Sequence, residues 1–578
     1  MKKLLKYLSE YKKECFFSPF FKMLEATFEL IVPLVIASLI DNGIAEENYG
    51  HIYMMVAILG VLALVGLIMA ITAQFFAAKA AIGFATRLRH ALFEHLMGLS
   101  YSDVDRLGTS TMITRMTSDV NQAQSGVNMF LRLFLRSPFV VFGAMIMAFT
   151  IDAKIALIFV VTIIVLFAVV GFLMSKNIPA IKRSQGWLDK VTQATRENLN
   201  GVRVLRAFRL ERQEIDEFGG INGGLTNAQK YAGRISALMN PLTYILINMG
   251  TIAVIYAGGL QIKCGALSQG QVVALYNYMA QILVELVKLA NLVVTLNRAL
   301  ASGNRIADIL DIKASMTEGL GVNANADSNP DDSVVFDHVS LVYPGASEES
   351  LTDISFRAEK GQTIGVIGGT GSGKSSVVNL LARFYDATSG NIMIDGHNIN
   401  EYTYDELHKK IGVVMQKAVL FKGTIADNLR MADENISEEE MNKALTLAQA
   451  MQVAEGKGGL SAEVEQGGRN FSGGQKQRLS IARTLAARPE IVVLDDSSSA
   501  LDYATDLALR RSLKEMPKDT TVFIISQRTS SLKHADQILV LDDGMLTGIG
   551  THDELMQNCE VYREIHNSQL HSDEEVTA

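Results

Sequence analysis

The run Gly368-Gly369-Thr370-Gly371-Ser372-Gly373-Lys374-Ser375 has the spacing G-x-x-x-x-G-K-[ST]. Each residue type in it has a chemical use. Glycines let a backbone curl until its N–H groups converge on phosphate oxygens at a helix N-terminus, Lys374 supplies a cation to the β and γ phosphates, and Ser375 offers an oxygen to Mg2+. The strand-like run Thr363–Ile367 precedes the loop and the helical run Ser376–Tyr385 follows it, which is the context the chemistry needs, with Ser376 closing the cradle. The pattern predicts a site for a nucleoside triphosphate with Mg2+. Farther along, the apolar run Glu490–Leu494 reads as a strand ending in Asp495, whose carboxylate can hold the magnesium shell from across a sheet.

These groups need a sheet to position them. After residue 332, strand-like runs alternate with helical ones: QTIGVIG, NIMID, IGVVMQ, EIVVLDD, TTVFIIS and QILVLDD. That alternation predicts an α/β domain over 333–567, followed by a polar, mobile tail at 568–578. A linker at 313–332, rich in Asn and Asp and poor in large apolar residues, separates it from residues 1–312.

The first 312 residues have a different character. Six apolar runs, near 17–40, 52–77, 130–151, 154–175, 238–262 and 272–296, each approach or exceed the roughly 20 residues that cross a bilayer. The fold class expected is therefore an all-α domain of six spans, with long helical extensions outside the membrane, ahead of an α/β phosphate-loop domain. Composition agrees: the 578 residues are 48% hydrophobic and 20% charged, and mean hydropathy is +0.19. Disorder is excluded by that balance. The scattered Cys15, Cys264 and Cys559 exclude a disulfide scaffold or a cysteine metal site. A net charge of -8 argues against a nucleic-acid partner.

Lys and Arg crowd 78–128 and 178–237, whereas the 41–51 loop offers Asp41, Glu46 and Glu47. Positive loops stay inside, so both termini are expected in the cytoplasm. The lysine-rich start has no small-residue cleavage site and reads as a retained lead-in. Inside the spans, Lys22, Glu25 and Glu29 share one helix face, and Glu285 and Lys288 form an i, i+3 pair. Each costs about 2.5–3.5 kcal/mol at the bilayer centre, so they are expected to face the bundle interior or a wet cavity.

Between the phosphate loop and Asp495 lies Asn470-Phe471-Ser472-Gly473-Gly474-Gln475-Lys476-Gln477-Arg478. Its Ser-Gly-Gly-Gln run with a basic continuation resembles the signature motif of ATP-binding cassette (ABC) transporters, and the resemblance covers nearly the whole chain. Six spans followed by one nucleotide domain look like a half-transporter of the multidrug-exporter type. The resemblance implies ATP and Mg2+ as ligands, the latter held by Ser375, Gln416 and Asp495. It also implies adenine stacking on Tyr343 and a loop, Ser499-Ala500-Leu501-Asp502, that crosses to a partner. In that family two nucleotide domains close head to tail, so Ser472, Gly473, Gly474 and Gln475 are expected to cap ATP held by the other chain. Short helices near 103–112 and 202–212 are expected to carry closure to the spans.

Two positions depart from the family. Where a Glu normally follows the magnesium Asp and activates water, this chain has Asp496. Its carboxylate falls about 1 Å short, a displacement that can cost on the order of 100-fold. Where a switch histidine is expected after Thr521–Ser526, Gln527 stands, and an amide can hydrogen-bond but cannot exchange a proton. Asp496, Gln527 and Gln416 are thus the candidate catalytic groups of a weakened site. The expectation is one subunit of a heterodimeric bacterial exporter in the inner membrane, moving amphipathic drugs or lipid-like compounds. A homodimer hydrolysing through Asp496 and an ATP-gated, non-transporting membrane subunit remain open.

Overall fold

The computed structural model describes residues 2–322, 331–497 and 500–577. Ser499 of the crossing loop, 323–330 of the linker and Ala578 of the tail lie outside the described residues. The chain divides into two compact units, Met1–His95 with Ser110–Ile312, and Leu96–Thr109 with Lys313–Ala578.

Helices in chain order are α1 (Lys12–Ser38), α2 (Tyr49–Met97), α3 (Tyr101–Leu107), α4 (Thr109–Thr114), α5 (Val120–Leu133), α6 (Arg136–Ile151), α7 (Ala153–Ala207), α8 (Glu211–Lys263) and α9 (Gln269–Leu310). Among the described residues, six helical stretches are long and apolar enough to cross a membrane, and they include all six runs expected from the sequence. At 1.5 Å per residue, the 55 residues of α7 extend about 80 Å, so much of α7 must lie outside a hydrocarbon layer of about 30 Å. The most apolar window of the α2 span has mean hydropathy 2.9, yet only 6% of it is buried within the protein. Apolar side chains left uncovered on that scale need lipid.

Of the two short helices expected at the loop tips, only the first exists. Ser100 caps α3 by accepting the Asp103 N–H, and Gly108, at φ 73°, ends it. The run through 202–212 holds no separate helix. There α7 continues to Ala207, a turn containing Arg209 at φ 55° reverses the chain, and α8 begins at Glu211. No Gly or Pro between Val202 and Leu210 stops α7 earlier.

Among the described residues the second unit contains twelve strands: β1 (Asp332–Leu341), β2 (Leu351–Glu359), β3 (Thr363–Gly368), β4 (Ser389–Ile394), β5 (His397–Asn398), β6 (Ile411–Val414), β7 (Gly423–Thr424), β8 (Glu463–Val464), β9 (Ile491–Asp495), β10 (Thr521–Ile525), β11 (Gln537–Asp542) and β12 (Met545–Gly550). They form a six-stranded sheet of order β12-β11-β3-β10-β9-β6, a four-stranded sheet β2-β1-β4-β5 and the pair β7-β8. The six runs read as strands from the sequence are β3, β4, β6, β9, β10 and β11. Phe336, Phe356 and Phe523 join the two larger sheets in one core. Residues 568–577 of the polar tail continue the last helix, Glu560–Thr577, which contains no Gly or Pro and buries Tyr562 fully.

Helix α3 belongs to this second unit. The Tyr101 ring stacks on Phe384 at 5.1 Å, Tyr385 Oη donates to Asp105 Oδ2 at 2.7 Å, and the Ser315 N–H donates to Asp103 Oδ2 at 2.9 Å.

Candidate nucleotide site at the carboxyl edge of the sheet

β6, β9, β10, β3 and β11 run parallel. Their register brings the carboxyl ends level: Ile525 pairs with both Val366 and Asp495, Val414 with Leu494, and Gly368 with Leu541. The segments leaving that edge carry the 368–375 loop, Gln416, Asp495 with Asp496, Gln527, and Asp543 with Gly544. Open α/β sheets hold their ligands at this edge.

The phosphate loop leaves β3 and enters α10 (Lys374–Leu381). Gly373 caps that helix at φ 94°, and a Cβ there would stand 2.6 Å from Leu351 Cδ2, so glycine is required by both conformation and space. At Gly368 a Cβ would meet the Leu541 carbonyl at 2.2 Å. Gly369, Thr370 and Gly371 form the exposed crest, and the buried Ser372 donates its N–H to the Gly369 carbonyl. Lys374 folds back over the loop, with Nζ 3.0 Å from the Gly368 carbonyl and 2.5 Å from that of Gly369. Burial pushes its pKa below the ordinary lysine value, while the Asp496 and Asp495 carboxylates pull it back. A cleft of about 580 Å³ lies over Gly371, Gly373, Lys374, Ser375 and Ser376, bounded by 346–350 and Asp543–Gly544. Converging glycines, a helix N-terminus and a lysine fit a polyphosphate chain.

Asp495 ends β9 and is buried. Burial first, then the neighbouring Asp496, raises its carboxyl pKa, and Lys374 opposes them. Asp496 takes the left-handed region at φ 43° and donates its N–H to the Ile525 carbonyl at 3.0 Å. Gln416, beyond β6, donates Nε2 to Asp496 Oδ2 at 3.4 Å. The exposed Ser375 and Gln416, with the carboxylate of Asp495, supply oxygen donors of the hard kind that suits Mg2+. Gln527 follows β10 on the same edge with its side chain exposed.

Tyr343 lies beside the cleft, bonded to its lining residue Ser376. Its hydroxyl accepts from Asn379 Nδ2 at 2.9 Å and donates to Ser376 Oγ at 3.1 Å, and its ring meets Tyr385 edge-on at 4.9 Å. It is therefore tied to α10 directly behind the loop.

The signature residues open the helix Gly473–Ala486. Ser472 and Gln475 form a capping box: Ser472 Oγ accepts the Gln475 N–H at 3.4 Å, and Gln475 Oε1 accepts the Ser472 N–H at 2.9 Å. Ser472 and Gly473 remain exposed at this helix N-terminus, and a Cβ on Gly474 would come within 2.9 Å of the Ala500 carbonyl. Asp502 caps the next helix, Tyr503–Leu513, through Thr505.

The membrane unit assembles the charges singled out within the spans around a residue that sequence reasoning missed. Arg136, at the start of α6, is buried and pairs with Glu285 on α9 and with Glu29 on α1 at 2.7 Å. Lys22 bonds Glu25 at 2.6 Å, Lys288 bonds Glu285 at 2.8 Å, and Ser137 Oγ donates to Glu285 at 2.9 Å. Three cations thus balance three carboxylates across three helices. The available signal was an arginine inside the third apolar run, with carboxylates in two others.

Comparison with known proteins agrees with this layout. The family profile described as ABC transporter transmembrane region matches residues 15–286, and that described as ABC transporter matches 351–499. An uncharacterized ABC transporter ATP-binding protein of Mycobacterium bovis is 37% identical over 548 residues, covering 93% of each chain. Another from Bacillus subtilis is 32% identical over 99% of each chain. An ATP-dependent lipid A-core flippase of Yersinia pestis is 28% identical over 97% of this chain and 96% of its own. Among solved structures, a bacterial Atm1-family ABC exporter with ATP bound superposes with TM-score 0.80 over 96% of this chain and 98% of its own, at 21% identity, a likeness of fold. The chain belongs to the ABC transporter family, as a half-transporter whose six-helix membrane region precedes its nucleotide-binding domain.

Proposed function

We propose that this chain is one subunit of a heterodimeric bacterial ABC exporter whose own phosphate loop binds MgATP and turns it over slowly, while its signature helix completes the site of a partner chain. The carrying observation is the pair of residues at the carboxyl edge, Asp496 directly after the buried Asp495, and Gln527 two residues beyond β10. Neither reproduces the geometry or the proton chemistry of Glu and His in an efficient water-activating pair.

In this reading Lys374 and the amides at the start of α10 bind the phosphates, Tyr343 supports the base, and Ser375, Gln416 and Asp495 hold Mg2+. The ion supplies charge neutralisation on the phosphates. Asp496 orients water from too short a reach, and Gln527 offers the γ-phosphate a hydrogen bond without a proton. Ser472, Gly473, Gly474 and Gln475 face the partner's ATP, and the partner carries Glu and His at the corresponding positions.

The domains of this reading are a transmembrane domain at 1–312, six spans of the inner membrane with long cytoplasmic helical extensions, a linker at 313–332 and a nucleotide domain at 333–567, with both termini cytoplasmic. The cargo is an amphipathic or lipid-like compound moved outward, a reading supported by the relatedness to a lipid A-core flippase.

Steady-state Mg2+-ATPase turnover of the chain alone in lipid, beside Asp496→Ala, tests the assignment. Background turnover in both is expected. Brisk turnover abolished by Asp496→Ala would replace the heterodimer with a homodimer working through Asp496.

A further inference from the structure

Directly beyond β10, the backbone of Gln527–Thr529 is held by a side chain from the far end of the sequence. Gln569, on the helix Glu560–Thr577, lays its carboxamide across this turn. Its Oε1 accepts the Thr529 N–H at 3.0 Å and lies 3.0 Å from the Thr529 hydroxyl, while its Nε2 donates to the Gln527 carbonyl at 2.7 Å. One turn earlier, His566 Nδ1 lies 2.9 Å from the same hydroxyl. Ser526 Oγ accepts the Arg528 N–H at 3.0 Å from the other side. Thr529 is buried, so a neighbouring side chain, rather than solvent, satisfies its N–H. An amide that both accepts from and donates to a three-residue stretch of main chain fixes the orientation of that stretch, because both bonds are directional.

We propose that Gln569 is a positioning residue for the nucleotide site: it fixes the main chain of Gln527, and thereby the direction in which the Gln527 amide leaves the carboxyl edge. The C-terminal helix then sets how strongly the site distinguishes a triphosphate from a diphosphate. This rests on the reading of Gln527 as the γ-phosphate partner.

The test uses the full chain in lipid nanodiscs and compares affinities for MgADP and the non-hydrolysable MgAMP-PNP. Gln569→Ala is expected to lower the preference for the triphosphate analogue about fivefold, the worth of one hydrogen bond, with MgADP affinity unchanged and a lower melting midpoint, because the buried Thr529 N–H loses its acceptor. Gln569→Glu keeps an acceptor for Thr529 but turns a carboxylate toward the Gln527 carbonyl, and is expected to lower the preference at least as far. In a Gln527→Ala background neither change has a further effect, because Gln569 acts through Gln527. If Gln527→Ala lowers the preference but the Gln569 variants do not, or their effects add to it, the positioning role is overturned. If Gln527→Ala alone leaves the preference unchanged, the γ-phosphate reading fails and takes this proposal with it.

Discussion

Gln416 Nε2 and Asp496 Oδ2 stand 3.4 Å apart, so the first polar side chain beyond β6 and the first residue beyond β9 meet at the carboxyl edge of the sheet. Neither is adjacent in sequence to the phosphate loop. Parallel pairing of β6 with β9 brings them together.

That contact makes the length of the residue-496 side chain testable. Asp496→Glu adds one methylene and is expected to raise ATP turnover on the order of 10- to 100-fold where a competent signature caps the site. Single-turnover hydrolysis in the reconstituted complex checks it. No gain would mean that Gln527, rather than Asp496, limits the chemistry.

Asp495 carries a conflict between function and stability. Burial raises its folded pKa above the unfolded value near 3.8, so the folded unit holds that proton more tightly than the unfolded chain does. The sign follows: stability is highest below the unfolded pKa, and is lost as pH rises through the folded pKa and the carboxylate ionises. Asp495→Asn is expected to melt higher than the parent at pH 7 without nucleotide, with the gap narrowing as pH falls, and to lose its Mg2+ dependence. Scanning calorimetry from pH 4 to 7 reads both the sign and the window.

Arg136 and Glu285 are both buried, and each is satisfied mainly through the other and their neighbours. Removing one leaves an uncompensated charge. Arg136→Ala or Glu285→Ala is therefore expected to cost about 3–5 kcal/mol, while the double change Arg136→Met with Glu285→Leu recovers most of it. Unfolding in mixed micelles measures the cycle, and equal losses in single and double variants would refute the pairing as a stabilising unit.

Ser472 has two roles that separate by readout. As a helix cap its loss in Ser472→Ala is expected to cost about 1 kcal/mol of stability in the chain alone. As a cap on the partner's nucleotide, the same change is expected to lower turnover of the complex at least tenfold. A variant that melts lower but hydrolyses at the parental rate would confine Ser472 to the first role.

Much of this molecule is legible without coordinates because the informative signals are local. A phosphate loop occupies eight consecutive residues, each strand of the parallel sheet is a short apolar run, and each span is a long one. Asp495 and Gln527 follow directly from where β9 and β10 end. The less periodic β1 and β2, which form much of the antiparallel sheet, do not stand out in the same way.

What only the tertiary structure decided are pairings between distant residues. Arg136 reads as one of two arginines in an apolar run until α1 and α9 place three carboxylates around it. Gln569 reads as part of a polar tail until Tyr562 seats its helix and carries the amide to Thr529, 40 residues away. Helix α3 leaves one compact unit to join the other through Tyr101 and Asp105. Side-chain spacing along a chain encodes which face of an element is apolar, but the partner of a polar group is set by which elements pack together, and that depends on the burial energy of the whole unit.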